Sequence, residues 1–406
     1  DYGEVQIKQL NDRSKMYYTP NKENNVFQLI VQYGAGEREF PKLGYAAQLM
    51  NNAGIMGAYE PQELKEELSK LNATCHVTAD DDNLYIIMEG YEATLPQACQ
   101  LLSRQILMPK LDEKQLARLK GSAMGMRQQR KDNVSILNEA LRQYMLYGEK
   151  SDYIKELTDK EIYELQISEL TGDINRASNY EAKVFFTGTL PFDQVYDILS
   201  KNLPLVANER PSNSPQAKEM MPVTENTVYF LPNNDAEQAQ IHLYIPMQKA
   251  DKKDDVLRSA FNQYFGLDFT GIVLNEIREK RSMAYTAYAF VGTQGIAGKA
   301  SYLRGYIGTQ NDKANDALDV LMSLVNDMPK NPERIGNIKS YLRQAMLTSH
   351  PSFRNKAMEL VDLGYRGYTD DPAKENLPKV DALTFDDIVK FYEENIKGKP
   401  YCISIM

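Results

Sequence analysis

Two short signatures recur in the same order half a chain apart, and this recurrence limits the fold more than any other feature of the 406 residues. Residues 15–32 read as strand, polar turn, strand, with Tyr17-Tyr18 just ahead of Pro20-Asn21. Residues 227–245 read the same way, with Tyr229-Phe230 just ahead of Pro232-Asn233. Farther along, the helical pattern of 95–110 closes on Met108-Pro109-Lys110, and that of 317–330 closes on Met328-Pro329-Lys330. Pro20 and Pro232 are 212 residues apart and Met108 and Met328 are 220 apart, as an internal duplication requires. A period of roughly 215 residues is a whole domain and not a solenoid repeat.

Each copy opens on a hairpin and continues into a helix, at 44–52 and at 254–265. It then returns to strand, passes through a long helical pattern (113–131; 332–348) and ends on an apolar strand (183–188; 401–406). Hairpins ahead of helices, without strict strand–helix alternation, predict an α+β fold: a mostly antiparallel sheet with helices packed on one side. The expected organisation is therefore two tandem homologous domains, 1–207 and 225–406. Between them, residues 208–224 hold Pro211, Pro215 and Pro222 among polar neighbours and read as an extended linker.

Charge narrows the partners. A net charge of −9, with no basic tract, argues against nucleic acid. No run approaches the ~18 apolar residues of a membrane span. Three cysteines, Cys75, Cys99 and Cys402, allow at most one pair and no disulfide scaffold. The chain starts at Asp1-Tyr2-Gly3 without Met or a signal-like stretch, which reads as a mature product or a piece of a longer protein.

The most chemically loaded stretch is 271–285. Ile272, Val273, Leu274 and Ile277 fall at helical spacing, then Glu276, Arg278, Glu279, Lys280 and Arg281 crowd the end, and from Tyr285 the pattern alternates as a strand. By itself this is a solvated helix end, with Arg278 favoured near a helix C-terminus by roughly 0.3–1 kcal/mol. In context, the run Arg278-Glu279-Lys280-Arg281-Ser282-Met283-Ala284-Tyr285 and the paired α+β layout resemble the insulinase/pitrilysin family of zinc metallopeptidases. That family's second-domain signature is Arg-Glu-Lys-x-Gly-Leu-Ala-Tyr. Met283 replaces its Leu and Ser282 its Gly.

In that family a helix reading His-x-x-Glu-His places two imidazoles one turn apart on Zn²⁺, with the Glu as base for the metal-bound water. The resemblance aligns this motif with Ala47, Met50 and Asn51, and the third ligand with the neighbourhood of Met126. None of these is an expected zinc ligand or base. The three histidines, His76, His242 and His350, are isolated from one another. The resemblance thus implies a zinc-free half, with no cofactor of its own, working beside a zinc-bearing His-x-x-Glu-His half on the same or a separate chain. It also implies that Arg278 and Tyr285 reach peptide substrates held at the partner's metal as an added β-strand. The 26 Tyr and 17 Met would serve the core and a greasy inner wall. Bacterial relatives of this layout are frequently exported, so a periplasmic or otherwise exported location is the expectation, which the sequence itself does not fix. The alternative is an inert structural subunit sharing the fold. A self-contained hydrolase lacks any visible nucleophile elbow, paired metal helix or phosphate loop.

Overall fold

The computed structural model describes residues 2–203, 210–267 and 269–406. They form two compact units, each drawing one segment from the other half of the sequence. Unit 1 holds Asp1–Gln128, Glu156–Gln216 and Pro351–Val361; unit 2 holds Gln129–Lys155, Ala217–His350 and Asp362–Met406.

In unit 1 the strands are β1 (Gln6–Gln9), β2 (Lys15–Pro20), β3 (Val26–Tyr33), β4 (Gly54–Ile55), β5 (Ala73–Ala79), β6 (Leu84–Tyr91), β7 (Pro109–Lys110) and β8 (Ala182–Gly188). β4 and β7 form a separate pair, and the others make one sheet in the order β1-β2-β8-β3-β6-β5. Every neighbour pair is antiparallel except β2 with β8. Alternation in β3 sends Phe27, Leu29, Val31 and Tyr33 into the core. They pack against helices α1 (Leu43–Met50), α2 (Pro61–Lys70), α3 (Leu95–Leu107) and the helix Ile167–Ala177. Fully burying each such side chain is worth about 1.5–3 kcal/mol. On the opposite face, Ile30 and Phe185 are covered by Ala357, Met358 and Val361.

In unit 2 the strands are β9 (Thr227–Phe230), β10 (Gln238–Lys249), β11 (Thr286–Thr293), β12 (Ala300–Gln310) and β13 (Cys402–Ile405). Their order is β11-β12-β10-β13-β9, again with one parallel pair, β13 with β9. Read from the other end, this is the unit 1 sheet strand for strand without β1. The duplication seen in the sequence is therefore a duplication of topology, and the α+β class is as expected.

Ile241, Leu243 and Ile245 of β10 face the main helix layer. On the other face of that sheet, the helix Val134–Tyr147 lays Met145 and Leu146 on Tyr244 and Cys402. Asn138 of this helix donates from Nδ2 to Gln240 Oε1 at 2.6 Å and lies 3.1 Å from His242 Nε2.

The expected domain boundary at 207 and the linker residues Asn208 and Glu209 lie outside the described residues. The remaining linker residues, 210–224, contain no helix and are pinned to both units. The Arg210 carbonyl accepts from Glu181 N–H at 2.7 Å, and Asn213 N–H donates to the Gly34 carbonyl at 2.8 Å, both in unit 1. Met221 N–H donates to the Leu146 carbonyl at 2.8 Å in unit 2.

Burial, with smaller contributions from Arg142 and Arg304, lowers His242 from 6.5 to about 3. The folded protein therefore keeps His242 neutral while the unfolded chain takes up a proton below pH 6.5. Its contribution to stability is complete above that pH and is lost as pH falls toward about 3. His242→Gln should flatten the fall of melting temperature between pH 6.5 and 4 relative to the parent chain, measured by circular dichroism. Parallel curves would refute the assignment.

Candidate functional site

The segment carrying Arg278 and Tyr285 departs from an ordinary helix. A short α-helical turn, Ile272–Leu274, widens into a π-helical turn at Asn275–Glu279, with Lys280 N–H donating to the Asn275 carbonyl at 2.9 Å. Such wide turns are often found at functional segments. The expected apolar face is buried: Ile272, Val273, Leu274 and Ile277 all join the unit 2 core.

The helix ends in an αL turn. Met283 N–H donates to the Ile277 carbonyl and Ser282 N–H to the Arg278 carbonyl, both at 2.9 Å. Ser282 occupies the left-handed position of this turn, with φ 48°. That is where the family signature has Gly, for a backbone reason. Lys313 Nζ donates to the Ser282 carbonyl at 3.3 Å, and the Thr309 hydroxyl donates to the Met283 carbonyl. Met283 itself packs on the core, so it serves in place of the signature's Leu.

The charged side chains then sort themselves. Lys280 and Arg281 both pair with Glu276, and these donors hold its carboxyl below the usual range. Arg278 is left with a 3.5 Å contact to its neighbour Glu279 and a side chain 45% exposed. Tyr285, 51% exposed, precedes β11, and its hydroxyl accepts from Gln310 Nε2 at 3.1 Å. While accepting that bond, the phenol can still donate its own proton.

The positions aligned with the zinc motif lie in unit 1. Ala47 and Met50 are buried in α1, while Met126, on the helix Glu113–Arg130, is 58% exposed. Asn51, at the C-terminal end of α1, has its amide engaged on both sides: Nδ2 donates to the Val77 carbonyl at 2.9 Å, and Oδ1 accepts from Val77 N–H at 2.8 Å. Zinc is held by Cys, His, Asp or Glu. This donor set, with its one polar group already bonded to backbone, does not fit it.

Asn51 has a counterpart that sequence reading missed. In unit 2, Asn262 of the helix Asp255–Phe265 donates to the Val291 carbonyl at 2.9 Å and accepts from Val291 N–H at 2.7 Å. Val77 lies on β5 and Val291 on β11, the topologically equivalent edge strands. The same amide clamp is thus built twice. Aligning the two copies at their first helices, where Asn51 and Asn262 are 211 residues apart, would have revealed it.

The isolated histidines show no common site: His76 is exposed on β5, His242 is buried in unit 2, and His350 is exposed. Cys75, Cys99 and Cys402 are free thiols, and burial pushes both Cys75 and Cys99 up to about 12.

Because a left-handed conformation costs a residue with a Cβ roughly 1–2 kcal/mol, Ser282→Gly should stabilise the chain. After the extra chain entropy of Gly, the expected gain is about 0.5–1 kcal/mol in urea unfolding. A destabilised variant would contradict the turn assignment.

Residues 178–339, which include the whole Arg278–Tyr285 signature, match the profile of the peptidase M16 inactive domain. No curated protein matches the chain. Among solved structures, the peptidase M16 inactive domain from Pseudomonas fluorescens superimposes at a TM-score of 0.72 and 17% identity, covering 99% of this chain and 97% of that one. The periplasmic protease PqqL from Escherichia coli superimposes at 0.74 and 13% identity, over 99% of this chain but 46% of its own length. A mutant of the ferredoxin protease FusC, solved with Arabidopsis ferredoxin, gives 0.75 and 13%, over 99% of this chain and 44% of its own. At these identities the structures speak for the fold. Residues 178–339 thus match the model of the peptidase M16 inactive domain, on a chain whose fold is similar throughout to that of M16 proteins.

Proposed function

We propose that the chain is the non-catalytic half of a zinc metallopeptidase of the insulinase type. It completes a peptide-binding chamber and lends Arg278 and Tyr285 to a peptide held at the metal of a His-x-x-Glu-His half. The observation that carries this reading is how the signature's side chains are disposed. Lys280 and Arg281 share the one carboxylate of Glu276, whereas Arg278 has only a 3.5 Å contact to its neighbour Glu279, and the half-exposed Tyr285 accepts from Gln310 and can still donate its proton. A chain that kept the signature for packing alone would bury these two groups. The likeness to PqqL and FusC, each about twice as long as this chain, supports a paired arrangement.

Each side chain has a distinct task. When water attacks a peptide carbonyl, the oxygen gains negative charge, and a hydroxyl aimed at it stabilises the transition state more than the ground state. Tyr285 is the donor in that role, with Gln310 orienting the phenol. Arg278 offers a fixed charge and forked donors to the substrate backbone. The partner's zinc supplies the polarised water, and proteolysis is the joint activity. The substrate is an extended peptide added to a sheet edge, chosen more for its ability to extend than for its sequence. The likeness to PqqL is in keeping with an exported location.

The test mixes the chain with its zinc-bearing half and a quenched fluorescent peptide. Tyr285→Phe should lower kcat/KM by roughly 10²–10³-fold, the usual cost of one oxyanion donor. Arg278→Ala should also lower it, and neither change should shift the melting temperature. If both variants keep full kcat/KM, the chain is instead the inert structural subunit sharing this fold.

A further inference from the structure

At the edge of the unit 1 sheet, the Asn51 clamp also marks the end of an open stretch of strand. Val77 turns its N–H and C=O away from β6 toward Asn51. Peptide groups in an antiparallel ladder alternate in direction, so those of Ala73 and Cys75 also face outward. In unit 2 the equivalent edge is closed farther along: beside the Asn262 clamp, Ala289 N–H donates to the Gly266 carbonyl at 3.0 Å. In unit 1, Ala73 and Cys75 instead line a pocket of about 480 Å³. Its walls include Leu64 and Leu68 of α2, Met50 at the end of α1, and Lys65 at the side.

Lys65 is the one charged residue lining the pocket. Its Nζ donates to the neutral Asn52 Oδ1 at 2.7 Å, and no carboxylate pairs with it among the described residues. Asn52 follows Asn51, so this uncompensated charge lies at the clamped end of the strand.

We propose that this pocket is a peptide-binding subsite that takes the C-terminal end of an extended chain. The peptide adds to β5 at Cys75 and Ala73 and runs parallel to it. It drops one apolar side chain between Leu64, Leu68 and Met50. Its ladder stops where Asn51 holds Val77, and its terminal carboxylate meets Lys65 there. A chain that continued past this point would lose its hydrogen-bond partners, whereas a chain that ends has none to lose. The subsite is separate from Arg278 and Tyr285 and stands or falls independently of their role.

The test uses the full chain and fluorescence anisotropy of a labelled Gly-Thr-Val-Thr-Leu peptide, as the free acid and as its C-terminal amide. The acid should bind roughly tenfold or more tightly than the amide, as expected for a charge-assisted contact. Lys65→Gln should weaken the acid to the level of the amide without changing the melting curve. In hydrogen exchange, bound acid should slow the amide of Cys75. Equal binding of acid and amide, no saturable binding, an unaffected Lys65→Gln variant, or unchanged exchange at Cys75 would each overturn the proposal.

Discussion

Each sheet is closed by its last strand in sequence, which inserts between two earlier ones. β8 and β13 are the last strands of their respective units, yet each lies between the first two main strands, parallel to one and antiparallel to the other. Val184 and Phe186 of β8, and Ile403 of β13, fill the centre of their cores. Neither sheet is continuous until that strand is in place, so the loops and helices of a copy are held by contacts very distant in sequence. Such pairing is costly in loop entropy and is recovered through burial. Everything that presents Arg278 and Tyr285, from the π turn to β11 and β12, rests on the sheet that β13 completes.

The repeated Asn clamp shows how this architecture treats its edges. An edge strand exposes unpaired peptide groups and invites pairing with another chain. Asn51 and Asn262 each cap one such peptide from the neighbouring helix, a local device that leaves the rest of the edge to be covered or used. At Asn51, which the resemblance alone aligns with a zinc-ligand position, the side chain bonds backbone on both sides. The residue has a structural task of its own. Ser282 shows the opposite trend, a residue held in the left-handed position of an αL turn without the Gly that suits it.

Much of this was legible in the sequence. The alternation of Phe27, Leu29, Val31 and Tyr33, the Met-Pro-Lys repeats and the two terminal apolar strands specify paired α+β sheets, because burial on one face of a strand leaves a period of two. The buried face of 271–285 was equally plain. The exchange of segments was not. Met145 and Leu146, or Ala357 and Met358, sit on patterns that any helix would show, and nothing local says which sheet they cover. The π turn was hidden because its carbonyl pairing shifts by one residue without altering the apolar spacing. Asn51 was read as a loss, since a single amide carries no hint of the Val77 peptide it meets across 26 residues. That Glu276 pairs with Lys280 and Arg281 and not with Arg278 is a selection among five neighbouring charges that spacing alone does not make.

The central claim is the proposal that this chain is the non-catalytic half of a peptidase and holds no metal centre of its own. The most direct measurement is the zinc content of the purified chain by mass spectrometry, together with its unaided cleavage of a casein or peptide substrate. The account predicts far less than one zinc per chain after dialysis against the metal, and no cleavage. One tightly held zinc per chain accompanied by proteolysis without a partner would contradict it.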